Sequence, residues 1–114
     1  GEYRTMMGIS PAEMIQPLKE AGATILGANC GNGMSGMVDI VAEIRRADPD
    51  VPVLVHANAG MPVYKDGHTH FPESPEETAS FVKALSAAGA NIIGGCCGTT
   101  PEHIRRIREA MQDN

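Results

Sequence analysis

Apolar residues recur at helical spacing in four segments of the chain, and the segments carry helix-terminus signals. Three of them follow a serine or threonine and then a proline. This pairing suits a helix start, because the N–H that proline lacks would be unbonded in the first turn. The predicted helices begin after Ser10-Pro11, span about residues 36–47, begin after Ser74-Pro75 and begin after Thr100-Pro101. Gly22 and Gly89 are predicted to end the first and third helices.

Short apolar runs of strand length lie between these helices, at residues 24–28, 53–57 and 91–95. They are nearly continuous in apolar character, which is typical of parallel strands buried on both faces. Helices and strands alternate along the chain, and this order predicts right-handed βαβ units on a parallel sheet. The fold class is therefore predicted to be α/β. Residues 60–74, after the second strand, are predicted to form one long functional loop.

The predicted architecture is incomplete as a closed domain. Three parallel strands leave two bare edges, and the three predicted strands contain no Lys, Arg or Pro to protect them. A (β/α)₈ barrel needs about 250 residues, and the chain has 114, close to three-eighths of that length plus one leading helix. We expect residues 1–114 to be part of such a barrel, since the chain also starts at Gly1 without a methionine. Either the remainder of the barrel or self-association is expected to cover the edges.

Composition narrows the function classes. Nine Lys and Arg against fourteen Asp and Glu give a net charge of -5, which predicts no nucleic-acid partner. The sequence has no apolar run long enough for a membrane span and no recognisable signal peptide, so we expect no membrane partner and a cytoplasmic location. Three cysteines, an odd number, favour thiols with a chemical role over a disulfide framework.

All three cysteines fall at predicted strand ends. Cys30 ends the first strand and Cys96-Cys97 end the third, while Asn58 follows the second. Ligands of parallel α/β folds bind at the carboxyl ends of the strands. Three thiolates converging there can hold Zn²⁺ and leave a fourth position open, where a substrate thiol would lose its proton. A non-catalytic module in which zinc only stabilises the fold is the alternative, although such sites favour paired cysteines on turns and four closed ligands.

Histidines are the competing metal ligands. His68 and His70 share a predicted loop and could bind a metal, but they lack a fixed third ligand. We interpret His56 as a hydrogen-bonded core residue within a strand and His103 as a solvated residue in the first turn of a helix.

Residues 31–36 read GxGxxG between a predicted strand and a predicted helix, which is the setting of a dinucleotide-binding turn. The carboxylate that would hold a ribose is missing from the end of the next strand, since residues 56–58 read His-Ala-Asn. A flexible glycine turn beside Cys30 is therefore the favoured interpretation, and a nucleotide-binding module is disfavoured.

Four segments together resemble the homocysteine S-methyltransferase family, which includes the homocysteine module of cobalamin-dependent methionine synthase and betaine–homocysteine methyltransferase. The run GGCCGTTPEHI at residues 94–104 is highly specific. The other segments are RTMMG at 4–8, GANCG at 27–31 and NAGMP at 58–62. The resemblance covers essentially the whole chain. It implies a (β/α)₈ barrel of which this chain would be the last three strands and four helices.

The resemblance implies that Cys30, Cys96 and Cys97 are zinc ligands, and that Asn58 is a labile fourth ligand which substrate thiol displaces. It implies zinc-dependent methyl transfer to homocysteine, giving methionine. The methyl donor would be methylcobalamin on a partner domain, methyltetrahydrofolate or a betaine-like onium compound. The strands that hold the substrate amino group in the family are absent here, so no residue of this chain is assigned that role.

Overall fold

The computed structural model describes residues 3–31 and 33–112. Within these ranges the chain forms α1 (Pro11–Glu20), β1 (Leu26–Cys30), α2 (Met34–Ala47), β2 (Val53–Ala57), β3 (Val63–Lys65), β4 (His68–His70), α3 (Pro75–Ser80), α4 (Val82–Ala88), β5 (Ile92–Gly95) and α5 (Pro101–Gln112). None of the helices in this part of the chain is both long and apolar enough to cross a bilayer.

The main sheet is parallel, with β2 between β1 and β5. Cys30 lies beside Ala57, and Ala57 lies beside Gly95, so the carboxyl ends of the three strands are level. The predicted α/β class and parallel sheet are confirmed. The first strand starts at Leu26, two residues later than predicted, and extends to Cys30.

The core lies on one face of this sheet. Val53, Val55 and Ala57 of β2 are buried, whereas the alternate residues Leu54 and His56 are only half-buried. Right-handed crossovers between strands that follow each other in one direction place their helices on the same side. The expectation of strands buried on both faces is therefore wrong for this chain, because the helices cover one face and leave the other open to solvent.

The first and third predicted helix starts have the expected capping bonds. Ser10 Oγ accepts a hydrogen bond from the Glu13 N–H, and Glu13 reaches back to the Ser10 N–H, which completes a capping box. Ser74 Oγ accepts from the Glu77 N–H in the same way. Thus short polar segments specify where α1 and α3 begin.

The single helix expected after Ser74 is divided into α3 and α4 at Phe81. The Ser80 hydroxyl donates to the Glu77 carbonyl at 2.6 Å, which is the carbonyl that the Phe81 N–H would bond in a continuous α-helix. The Phe81 N–H bonds the Thr78 carbonyl instead. A side chain that competes for a backbone acceptor therefore breaks the helix.

The segment expected to be one long loop contains an antiparallel hairpin made of β3 and β4. Asp66 and Gly67 form its turn with φ of 52° and 78°, as a two-residue hairpin turn of type I′ requires. The expectation of one long loop is therefore wrong, because an Asp-Gly pair between two short β-forming runs closes a hairpin.

Candidate metal centre

The three cysteines meet at the carboxyl edge of the sheet. Cys30 is the last residue of β1, and Cys96 and Cys97 come directly after β5. Their sulfur atoms all lie within 4.8 Å of one another. No other group of three or more His, Cys, Asp or Glu side chains converges in this way among residues 3–31 and 33–112. The structure therefore brings together the cysteines that the sequence indicates.

Two of these sulfurs share a hydrogen bond. Cys30 Sγ lies 2.9 Å from Cys96 Sγ, and all three thiols are free. The bond to Cys96, assisted by burial, raises the pKa of the Cys30 thiol. The same bond lowers the pKa of Cys96. The two thiols therefore titrate as an interacting pair in which ionisation of one affects the other.

The segment after β2 joins the two cysteine loops through its backbone. The Cys96 N–H donates to the Ala57 carbonyl at 2.8 Å, and the Asn58 N–H donates to the Cys30 carbonyl at 3.3 Å. The Ala59 N–H donates to the Cys97 carbonyl at 2.9 Å. These bonds fix the positions of the cysteine main chains relative to each other without involving any sulfur.

Asn58 adds its side chain to these connections. Its Nδ2 donates to the Gly31 carbonyl at 2.9 Å, and its Oδ1 accepts from the Cys97 N–H at 3.1 Å. The residue is buried, with 8% of its surface exposed. The amide therefore links the segments that carry Cys30 and Cys97.

Asn29 contacts the sulfur cluster, although the sequence did not mark it as a site residue. Its side-chain Nδ2 donates to Cys30 Sγ at 3.3 Å, and this bond opposes the rise in the pKa of Cys30 that the bond to Cys96 causes. Its position directly before Cys30 is the signal that was available. The direction of its side chain could not be read from that position.

The chain segment that returns from the hairpin packs against all three site loops. Phe71 occupies the space where a Cβ on Gly98 would lie, and Pro72 and Glu73 approach Gly60 closely. A Cβ on Gly33 would lie 3.1 Å from Glu73 Oε2. The loops after β1, β2 and β5 are thus packed around a single three-residue segment.

Glu73 also caps the helix that follows the glycine-rich turn. Its carboxylate hydrogen-bonds the Met34 amide at the start of α2, while burial raises its pKa. The α2 N-cap, Gly33, has no side chain of its own to cap the helix. Since a carboxylate occupies the helix end where a phosphate would bind, the site does not suit a dinucleotide. Asn32, the middle residue of this turn, lies outside the described residues.

His103 is buried, which contradicts the expectation that it is solvated. Only 6% of its surface is exposed. Its Nε2 lies 2.8 Å from the Glu73 carbonyl and its Nδ1 lies 2.8 Å from Thr100 Oγ1. The ring points back from the first turn of α5 towards the loops, and it fastens the return segment of the hairpin to the loop after Cys97.

The other histidines lie outside the cluster of sulfurs. His56 is half-buried, not a fully buried core residue, and its ring packs over Gly94, where a Cβ would come within 2.6 Å of His56 Cδ2. His68 and His70 are exposed on β4, with ring centroids 6.5 Å apart. They supply two imidazoles without a third ligand beside them in the described part of the chain.

A model of the homocysteine S-methyltransferase family matches residues 1–111. The chain belongs to this family. Methionine synthases of Mycobacterium leprae (strain TN) and Mycobacterium tuberculosis (strain ATCC 25618 / H37Rv) are similar to it, at 31% and 32% identity over 107 residues. Each match covers 93% of this chain and 9% of the relative. The chain therefore corresponds to a small part of the length of these methionine synthases.

Membership of the homocysteine S-methyltransferase family confirms the resemblance found in the sequence. The match extends over the cysteines, Asn58 and the glycine-rich turn alike. The individual ligand roles of Cys30, Cys96, Cys97 and Asn58 stay predictions, which the geometry of the cluster makes testable.

Proposed function

We propose that this chain carries the zinc site of a homocysteine S-methyltransferase and that its methyl acceptor is the thiol of homocysteine. The supporting observation is the convergence of three cysteine sulfurs within 4.8 Å at the carboxyl edge of a parallel sheet. Loss of the thiol proton gives a substrate sulfur whose lone pair forms the new S–CH₃ bond. The bonding electron pair leaves with the methyl donor, and the product is methionine.

The donor set suits zinc. A tetrahedral Zn²⁺ with Zn–S bonds of about 2.3 Å separates its sulfurs by about 3.8 Å, while Cys30 Sγ and Cys96 Sγ are 2.9 Å apart. Zinc binding therefore needs these two sulfur atoms to move apart by slightly less than 1 Å. Loss of the proton in their hydrogen bond removes the attraction between them and so favours this movement. When bound, zinc supplies the Lewis acidity that allows an incoming thiol to ionise near neutral pH.

Access to the cluster supports catalysis over a purely structural role. Cys97 is exposed, and Cys30 and Cys96 are only half-buried. A structural zinc site is closed by four protein ligands, whereas an exposed three-sulfur cluster leaves room for a substrate. Free thiols in such a position would be kept reduced in the cytoplasm, where we place the protein.

We propose Asn58 as the labile fourth ligand. Its Oδ1 is directed at the Cys97 N–H, and a carbonyl oxygen keeps a second lone pair for another partner. Burial beside both cysteine loops gives the amide a fixed position. Displacement of Asn58 by substrate would leave in place the two hydrogen bonds from its side chain to the backbone of Gly31 and Cys97.

We further propose that residues 1–114 form the last three strands and four helical regions of a (β/α)₈ barrel. The strand order is that of consecutive barrel strands, and β1 and β5 have unpaired outer edges within the described sheet. Ile92, next to Leu54 on the uncovered face, is 41% exposed, as a barrel-interior residue would be without its opposite strands. Preceding βα units would cover these surfaces, and pairing with a second copy is the alternative.

For the methyl donor we retain the three classes that the family resemblance implies. These are methylcobalamin carried by a partner domain, methyltetrahydrofolate and a betaine-like onium compound. Similarity to two methionine synthases supports methionine as the product.

Homocysteine is expected to bind at the metal of the cobalt-substituted protein. Adding homocysteine to the reduced, Co²⁺-loaded protein should strengthen the thiolate-to-cobalt charge-transfer absorption and release about one proton per chain, because the thiol ionises on binding. Homoserine, which has a hydroxyl in place of the thiol, is the matched control and should do neither. A cobalt site that homocysteine leaves unchanged would be closed, and would support the structural zinc module instead.

Asn58→Ala is expected to keep its zinc. Three sulfurs remain as ligands, while the lost amide bonds to Gly31 and Cys97 reduce the stability of the fold by about 1–3 kcal/mol. Metal content by mass spectrometry and thiol exchange at the cobalt site provide the measurements, and Asn58→Asp, which keeps the oxygen, is the control. If Asn58→Ala lost metal as readily as a cysteine variant, the labile-ligand role would be wrong.

A further inference from the structure

We infer that Asn29 is a positioning residue for the sulfur cluster, and that its side-chain amide donates to the Cys30 thiolate when metal is bound. The inference rests on the proposed zinc site, and it assigns a function to a residue outside the ligand set. The observation behind it is the 3.3 Å contact from Asn29 Nδ2 to Cys30 Sγ.

The surroundings of Asn29 make this contact informative. Its side chain is exposed on β1, the edge strand of the described sheet, so water could satisfy the amide without any protein partner. The amide nevertheless contacts a sulfur, which is a weak acceptor as a neutral thiol. The bond becomes stronger once the sulfur carries charge. The arrangement thus favours the ionised, metal-bound form of Cys30 over the free thiol.

The contact from Asn29 to Cys30 would stabilise the charge of the zinc centre. Three thiolates around a dication leave one net negative charge, and a neutral N–H donor draws some of this charge away from the sulfur. A carboxylate of the same shape at position 29 would instead repel it. Partners of this kind, next to the ligands, typically change metal affinity by about 10–100-fold. Asn29 also restricts the direction of Cys30 Sγ, since the donor and the ligand are neighbours on one strand.

Two substitutions test the inference in the reduced protein. Asn29→Leu keeps the approximate shape and removes the donor, and Asn29→Ala removes the side chain. Gln16→Ala is the matched control, because Gln16 is also an exposed amide, donating to Glu20 Oε1 at 2.9 Å on α1. Zinc affinity is measured by competition with a chromophoric chelator, and the electronic effect by the charge-transfer band of the Co²⁺-loaded protein.

Both Asn29 variants are expected to bind zinc about 10-fold or more weakly than the unmodified chain and to shift the charge-transfer band to lower energy. Their urea midpoints without metal should equal that of Gln16→Ala, which excludes a general loss of structure. Unchanged affinity and an unchanged band would overturn the role of Asn29 while leaving the zinc site intact. If the unmodified reduced protein bound no metal, the proposed function would fail and the inference with it.

Discussion

Cys96→Ala is expected to leave the reduced protein without stably bound zinc. Cys96 Sγ lies 2.9 Å from Cys30 Sγ, and Cys96 is adjacent in sequence to Cys97, so it contacts or neighbours both of the other proposed ligands. Its removal leaves two sulfurs at the site, and the chain has no fourth cysteine to replace it. The loss of affinity should exceed the roughly 100-fold upper range for residues that only support a ligand.

Metal content after dialysis and competition with a chelator would measure this effect. Reductant is needed throughout, since the Cys30 and Cys96 sulfurs are close enough to oxidise to a disulfide. Met61→Ala is a suitable control because Met61 is an exposed sulfur-containing side chain that follows β2 and is not one of the three cysteines. A Cys96→Ala protein that held one zinc per chain as tightly as the unmodified chain would show that the metal binds elsewhere or that Cys96 is no ligand.

Gly98→Ala is expected to destabilise the fold by about 2–5 kcal/mol. Gly98 has φ of 80°, and an alanine in this left-handed region costs about 1–2 kcal/mol. Its new Cβ would also overlap the Phe71 ring, and overpacking of this kind costs a further 1–3 kcal/mol, roughly. The position follows Cys97 directly, so the strain would act on the loop that carries two of the proposed ligands.

Gly67→Ala separates the two causes. Gly67 has φ of 78°, nearly the same as Gly98, but a Cβ there would meet no atom within 4 Å. Gly67→Ala should therefore reduce the free energy of unfolding only by the conformational cost of the left-handed backbone, about 1–2 kcal/mol. Urea unfolding of the reduced, metal-free variants gives both free energies. Equal losses at Gly67 and Gly98 would show that Phe71 does not resist the added methyl group.

Local signals in the sequence were sufficient to predict the main helices and strands of the fold. Capping residues such as Ser10 and Ser74 act on the next few backbone amides, so their effect can be read without knowing the rest of the molecule. The helix break at Phe81 could not be predicted in this way. It depends on the Ser80 hydroxyl donating to the Glu77 carbonyl, and the sequence does not show whether this hydroxyl bonds that carbonyl or water. The hairpin could have been predicted, since Asp66-Gly67 is a strong turn signal.

The candidate site was predictable to the extent that strand ends define it. Cys30 at the end of β1 and the cysteines after β5 lie at the same edge of one parallel sheet, on either side of the end of β2. Contacts that depend on side-chain direction were not predictable. Neither the amide of Asn29 on Cys30 nor the burial of His103 against Glu73 follows from spacing, because the first depends on the direction of the Asn29 side chain and the second on where the segment of Glu73 lies.

The hairpin is joined to the rest of the molecule at a narrow base, so a change at its tip need not disturb the loops that carry the sulfur cluster. Ala59 closes the base, with its N–H donating to Cys97 and its carbonyl accepting from the Glu73 N–H at 3.0 Å. Lengthening a closed loop costs little, about 0.6 kcal/mol for each doubling. The tip around Asp66 can therefore gain or lose residues while the base holds its place. A change in the length of the hairpin would therefore alter its own surface while leaving intact the hydrogen bond that positions Cys97.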